Sequence, residues 1–472
     1  MYSLAPSPDP APSSKESGRW RIVAGLFLFA SLLLRLGLSA RFFGFLGGDD
    51  VEILETGLRW AMHLNYVPWE IRNTLLPVLL VAPMGALGSA LGAHSPAFLC
   101  WLATLPFALL STLNIGLTYR LVLALSGDRM AARLGAFALG VHWVAVGYGS
   151  TVYPRTASTT CVLLAALLLV KALERVAAQW ASGAFVALAF ACRYSELIFL
   201  VPIVLLAAGR GTAGARWRRV GAVLFGFAAG ALAFVALVDL LEWGAPFASL
   251  AALFDYTIVK QLASSLRPEQ PVYWYLRTAH RWIAPALLGG LLLYDRRKVP
   301  APLVVFVLAP LLGLLLLHHK ELRYLQGLLP FLCAVAGFGL ARLWRAGWRK
   351  TVVVLLALSV GWSGVNLRFL GKKSMAAVEA AEYLVSSGEF VRVAAQQPWA
   401  LGDRLILGEK VGVQELPLRL GAESLRQAAK EMDGVVLYSD LVTDELRSAL
   451  IDEGLCLRRE FARGRSRRVS IF

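Results

Sequence analysis

"TLLPVLLVAPMGALGSALGA" (Thr74–Ala93) is apolar enough to count as a membrane crossing, and its reading sets the topology of everything after it. If it crosses, the loop holding Arg129 and Arg133 falls outside the membrane. If it lies in the outer interface, that loop falls inside, where an excess of Lys and Arg belongs. Pro77 and Pro83, with the interspersed glycines and serines, also make a poor straight span. The stretch is therefore expected to be an outer-face helix. Every later cytoplasmic loop is then basic: Arg129 and Arg133; Lys171 and Arg175; Arg210, Arg216, Arg218 and Arg219; Arg296, Arg297 and Lys298; Arg342, Arg345, Arg349 and Lys350. Eleven crossings follow, at 22–46, 97–122, 132–151, 157–173, 179–193, 196–209, 220–241, 281–295, 300–317, 325–343 and 351–369. The N-terminus is expected in the cytoplasm and the C-terminus outside. The pair 179–193 and 196–209 is short and broken by "CRYSE".

Composition agrees. The 472 residues are 57% hydrophobic and only 17% charged, against about 45–50% and about 25% in soluble proteins. The apolar blocks are long enough to cross a bilayer as helices. A formal charge of +16 suggests nucleic acid in a soluble protein. Here the loop asymmetry accounts for it, so no nucleic-acid partner is expected. No cleavable signal peptide is expected, because the segment after Arg21 is long and lacks a small-residue cleavage site. Four cysteines (Cys100, Cys161, Cys192, Cys333) lie in apolar segments and Cys456 stands alone, which is neither a disulfide framework nor a metal site.

Three domains are expected. Residues 1–18 form a Pro/Ser-rich disordered cytoplasmic tail, 19–370 an all-α polytopic membrane domain, and 371–472 a soluble α/β domain. In the last, "MAAVEAAEYLVSS" reads as an amphipathic helix and "TDELRSALIDEG" as a capped one. "FVRVAA", "GVVLYS", "LCLRREF" and "RRVSIF" read as strands. It has no Gly-rich phosphate loop.

On the outer face the charged residues gather in clusters. "FGFLGGDDVEILETG" (Phe43–Gly57) holds Asp49, Asp50, Glu52 and Glu55, and is followed by "YVPWEIRNTLLP" (Tyr66–Pro77). A long loop from Asp239 to Arg281 holds "DLLEWGAPFASLAALFDYT" and "PVYWYL". "HHKELRYLQGLLP" (His318–Pro330) sits between two spans, and "YPR" (Tyr153–Arg155), Arg193 with Glu196, and Arg35 are smaller items. Each has a structural reading too. Asp49 with Glu52 resembles a capping box, Arg35 a packed or snorkelling arginine, and "PVYWYL" an interfacial aromatic belt. His94, His142, His318 and His319 show no ligand spacing, so metal coordination is not expected. The chemistry implied is a carboxylate working beside an anion site. A carboxylate can take the proton of an attacking hydroxyl, while Lys320, Arg323 and Arg72 can hold a phosphate as it gains charge.

These segments resemble glycosyltransferase family 22, the GT-C-fold mannosyltransferases that use polyprenyl- or dolichyl-phosphate mannose. "GGDDVE" stands where that family has an H-P-D-E-type motif, "PWEIRN" where it has T-W-E-x-R-S, and "HKELRY" where it has H-K-E-x-R-F. "DLLEWGAPF" and "VYWYL" match its D-x-x-x-Y-G-x-W and W-Y-W-Y stretches more loosely. The resemblance implies a GT-C fold of about eleven spans with amphipathic outer-face helices in the first loop. It implies an inverting, metal-free and cofactor-free reaction from a polyprenyl-phosphate sugar donor to a glycan or glycolipid acceptor. Position by position, Asp49 matches the motif's first acid, the presumed base, and Asp50 its glutamate; Gly47 and Gly48 replace His and Pro, so either aspartate can be the base. Lys320 and Arg323, with His319 and Arg72, match the donor-phosphate side. Glu52, Trp69, Arg155, Tyr273, Trp274, Tyr275, Glu321 and Tyr324 are the remaining substrate-binding candidates. The Ala-, Leu-, Arg- and Gly-rich composition points to a bacterial plasma membrane. Arabinose or an aminosugar is the alternative donor sugar. A transporter is disfavoured, because its charges belong at the midplane between related halves. The C-terminal domain reads as an acceptor- or partner-binding module, or as a cover.

Overall fold

The computed structural model describes residues 14–42, 49–64, 66–93, 95–209, 211–260, 270–295, 297–317, 319–396, 403–408, 410–416, 421–438, 443–462 and 468–472. The 1–13 tail, the 43–46 end of the first expected span, Gly47, Gly48, His94, Arg210, Arg296 and His318 lie outside them. The chain divides into two compact units. One comprises Met1–Gly37, Glu70–Leu76 and Leu105–Asn366; the other comprises Leu38–Trp69, Pro77–Thr104 and Leu367–Phe472.

Among the described residues, five helical stretches are long and apolar enough to cross a membrane: Trp20–Arg41, Pro96–Ser126, Pro154–Ala172, Ala213–Trp243 and Arg349–Arg368. Each coincides with an expected crossing. The other expected crossings fall on shorter helices, including Val176–Cys192, Tyr194–Ala208 and Ala301–Leu316, and Pro285–Leu292, Arg129–Val141 and Leu329–Arg345. "CRYSE" ends one helix at Cys192 and opens the next as a 3-10 turn, Tyr194–Phe199.

The first unit is built around the Leu329–Arg345 helix, whose residues from Leu329 to Ala341 are all buried. "AVAGFGLA" lets two neighbours approach backbone to backbone. A Cβ at Gly337 would lie 2.4 Å from the Ala131 carbonyl oxygen, and one at Gly339 would lie 1.9 Å from that of Gly290. Small residues at such crossings are how helices pack in lipid, where apolar area alone favours no contact. Arg35 packs rather than snorkels. It is fully buried and donates from Nε to Ser111 Oγ at 2.8 Å and from Nη1 to the Ser31 carbonyl at 3.0 Å.

In the second unit the expected outer-face stretch is helical, Pro77–Ala90, and opens with a π turn over Pro77–Val81. It packs on the Asp49–Leu58 helix at Gly57, where a Cβ would lie 2.4 Å from that of Val81.

The C-terminal part of this unit carries five strands: β1 Arg392–Gln396, β2 Gly412–Leu416, β3 Gly434–Tyr438, β4 Arg459–Ala462 and β5 Arg468–Ile471. Their order is β2-β1-β3-β5-β4, with β1 parallel to β2 and β3, and β5 antiparallel to β3 and β4. One face is covered by Ala376, Ala377, Ala380, Ala381 and Leu384, the other by Leu425, Leu446 and Leu450. Four strands stand where the alternation predicted them, and Thr443 caps the Asp444–Asp452 helix through the Leu446 N–H. Two differences have plain causes. The span at 351–369 and the amphipathic helix after it are one 39-residue helix, Arg349–Ser387, because the junction "FLGKKSMAA" holds only Gly371 as a breaker. One glycine costs about 1 kcal/mol in a helix, too little to end one. Strand β2, "GVQEL", is an edge strand that buries one residue, so it lacks an apolar alternation to read.

Candidate functional site

The Asp49–Leu58 helix puts Asp49, Asp50 and Glu52 in its first turn, at the positive end of the helix dipole. Asp50 and Glu55 are buried, and Asp49 and Glu52 are partly exposed. Glu52 does more than serve its own helix end. Its Oε1 accepts the Trp69 N–H at 3.2 Å, which ties Trp69 to the acidic helix within one unit. The Trp69 ring itself is exposed.

In the other unit, the late loop between the Ala301–Leu316 and Leu329–Arg345 helices gathers most of the basic candidates. Lys320 is 2% exposed, and its Nζ donates to the Gln270 carbonyl at 3.0 Å and to the Leu317 carbonyl. Its backbone N–H reaches Gln270 Oε1 at 3.1 Å. Burial pulls the ammonium below the ordinary lysine value. Glu321 pairs with His319 at 3.1 Å and with Arg323. The Tyr275 hydroxyl donates to the Glu321 carbonyl at 3.1 Å, and burial raises its phenol above the ordinary range. The aromatic "PVYWYL" stretch is thus joined to the late loop through Gln270 and Tyr275. Trp274 stacks edge-on against Tyr275, with ring centroids 5.0 Å apart. Tyr273 remains exposed.

Tyr324 is the centre of this cluster. The guanidinium carbons of Arg155, Arg193 and Arg323 lie 5.0, 5.2 and 5.8 Å from its ring centroid, a cation–π range. Arg323 also lies 5.6 Å from the Tyr153 ring. Arg155 opens the Pro154–Ala172 helix and is buried. Its Nη1 is 2.7 Å from Glu196 Oε1 and donates to the Tyr324 carbonyl at 3.2 Å, while Nη2 donates to Ser195 Oγ at 3.1 Å. Arg155 thus grips the late loop's backbone and binds its own counter-ion. Glu196, Arg193 and Ser195 come from "CRYSE", whose polar break in an apolar run was the signal available for them.

Arg72 is half-buried, and its neighbour Asn73 is part of a second buried network. Asn73 Nδ2 donates to Asp239 Oδ1 at 3.0 Å, and Asp239 Oδ2 accepts the Ser249 N–H at 2.9 Å and its hydroxyl at 2.6 Å. Tyr194 and Ser249 are hydrogen-bonded through their hydroxyls. Among the described residues, no group of three His, Cys, Asp or Glu stands in metal-binding array. One helix offers paired carboxylates, and the late loop offers a lysine and one arginine, Arg323, of the kind that holds a phosphate bidentately.

The model of the Alg9-like mannosyltransferase family matches residues 52–384, more than half of the chain. The match starts just past Asp50 and ends within the Arg349–Ser387 helix, before the sheet. No curated protein sequence matches the chain. Among solved structures, ArnT from Cupriavidus metallidurans bound to undecaprenyl phosphate is similar at TM-score 0.61 and 13% identity, over 96% of this chain and 98% of that one. The Archaeoglobus fulgidus oligosaccharyltransferase is similar at TM-score 0.52 and 10% identity, over 89% of this chain and 70% of that one. Arabinofuranosyltransferase AftD from Mycobacteria is similar at TM-score 0.52 and 18% identity, over 94% of this chain and 36% of that one. At these identities the likeness is one of fold, and that fold is GT-C.

Proposed function

Because the chain belongs to the Alg9-like mannosyltransferase family, we propose that it is an inverting mannosyltransferase that takes its sugar from a polyprenyl-phosphate donor. It is an integral membrane glycosyltransferase of GT-C fold. The acceptor in this reading is a lipid-linked or cell-envelope glycan at the outer face of a bacterial plasma membrane, with the N-terminus cytoplasmic and the C-terminal sheet extracytoplasmic. Domain roles follow: residues 19–370 carry the transfer chemistry, and 371–472 accompany it.

The observation that carries the reading is the basic and aromatic late loop, with Arg323, Arg155 and Arg193 gathered about Tyr324 and Lys320 buried in the same loop. Such a cluster suits a phosphate that gains charge during reaction, since donors aimed at developing charge stabilise the transition state most. Asp49 or Asp50 takes the proton from the acceptor hydroxyl. The freed oxygen attacks the anomeric carbon from the face opposite the phosphate. The new C–O bond forms as the bond to the phosphate oxygen breaks, and polyprenyl phosphate leaves with the electron pair. Lys320 and Arg323, with His319 and Arg72, take up that charge. Glu52 holds the backbone that presents Trp69, and Tyr275 and Glu321 hold the late loop in shape. ArnT's structure with undecaprenyl phosphate supports a lipid phosphate as the ligand class.

The test is incubation of membranes containing the protein with labelled undecaprenyl-phosphate mannose, arabinose or an aminosugar. The expected result is label transfer from the mannose donor alone. Transfer from the arabinose or aminosugar donor instead would keep the fold-level reading and replace the sugar; saturable movement without covalent change would replace both with transport.

A further inference from the structure

"RYSE" (Arg193–Glu196) interrupts an apolar run at the junction of two helices, and its side chains serve neighbours on two sides. Arg193 is fully extended, at φ −162° and ψ 117°, so successive side chains leave the chain in opposite directions before the 3-10 turn begins. On one side are Glu196 and Ser195. Both bind Arg155, which donates to the Tyr324 carbonyl, next in the chain to Arg323. Arg193 adds its guanidinium over the Tyr324 ring. On the other side is Tyr194. Ser249 gives its hydroxyl proton to Asp239, which can only accept, so Tyr194 donates to Ser249. Asp239 in turn holds Asn73, next in the chain to Arg72.

One short turn is therefore hydrogen-bonded, through buried polar groups, to the two segments that carry Arg323 and Arg72. All of these residues belong to the same compact unit. Apolar side chains of similar volume would fill this interior at no greater cost than a buried ion pair. What they would lack is direction: hydrogen-bonded networks fix one geometry. We propose that the "RYSE" turn is a positioning element that sets the spacing between Arg323 and Arg72, with Tyr194 and Glu196 as its positioning residues. The inference rests on the assignment of those two arginines to the donor phosphate. Phosphate recognition by two guanidinium groups needs both at one separation, and small misplacements cost catalysis steeply.

The experiment measures undecaprenyl phosphate binding to the purified full chain, its melting temperature, and the kinetics with undecaprenyl-phosphate mannose. Tyr194→Phe keeps the ring and leaves no buried donor unpaired. It is expected to weaken undecaprenyl phosphate binding about 3- to 10-fold, as loss of one hydrogen bond does. The donor KM should rise by a similar factor and kcat should fall, with the melting temperature nearly unchanged, since one hydrogen bond contributes little to global stability. Ser249→Ala added to Tyr194→Phe should cost little more, because both break the same relay. Glu196→Gln should weaken binding as well. The proposal is overturned if Tyr194→Phe and Glu196→Gln bind like wild type while Arg323→Ala and Arg72→Ala do not. It is equally overturned if binding falls only in step with melting temperature, which a packing role alone would give. If Arg323→Ala and Arg72→Ala also bind like wild type, the phosphate assignment fails first and takes the proposal with it.

Discussion

The late loop and the C-terminal sheet both carry arginines beside carboxylates, and they use them differently. Around the late loop, the Arg155–Glu196 pair has side chains only 5% and 1% exposed. On the sheet's helices, Arg426 and Glu423 stand 3.4 Å apart with side chains 38% and 91% exposed, and Lys430, paired with Glu453, is 65% exposed. Solvent already satisfies the second set, so those pairs add little. The first set has left water, and each member has the other as its counter-ion. A charge in this chain is therefore informative in proportion to its burial. Three of the buried ones, Arg155, Glu196 and Lys320, hold or belong to the loop to which the phosphate is assigned.

The sharpest way to break that contrast is Glu196→Ala. It leaves Arg155 buried and uncompensated, and is expected to destabilise the protein by about 3–5 kcal/mol, read from unfolding of the purified chain. A loss no larger than that of an exposed pair would erase the distinction. Next comes Lys320, whose ammonium burial holds below the ordinary 10.5. Its folded state binds its proton less readily than the unfolded chain. Stability from this group therefore rises with pH between the folded value and 10.5. Donor binding runs the other way and falls as pH rises through the folded value, below 10.5. Lys320→Arg, which stays charged, should move that alkaline fall to higher pH. An unmoved alkaline limb would remove Lys320 from the phosphate side. The smallest effect belongs to the sheet. Asp433 accepts the Val391 and Arg392 N–H groups at 3.0 and 2.8 Å, which hold its carboxyl below the ordinary 3.8. Its contribution is complete above 3.8 and is lost as pH falls through the folded value. Asp433→Asn should shift the acid unfolding midpoint slightly upward, while transfer near neutral pH stays unchanged.

Much of the fold is legible in the sequence. The long apolar blocks and the "DDVE", "PWEIRN" and "HKELRY" segments were readable because a polar residue in an apolar chain stands out. The "GVVLYS" and "RRVSIF" strands were readable by alternation. What escaped did so for physical reasons. Lys320 spends two donors on backbone carbonyls, which no local pattern announces. Arg155 holds Glu196, Ser195 and the Tyr324 carbonyl, the last across 169 positions of sequence. Asp239 and Asn73 meet across 166 positions of sequence, and such pairings exist only once the chain has folded.

The central claim is that an aspartate of "DDVE" deprotonates the acceptor while polyprenyl phosphate leaves. Its most direct test is transfer of labelled mannose from undecaprenyl-phosphate mannose by purified Asp49→Asn and Asp50→Asn proteins, each checked for folding and membrane insertion. At least one should lose transfer by about 100- to 10,000-fold, the usual contribution of a general base, while still binding undecaprenyl phosphate. Full transfer activity in both would contradict the account.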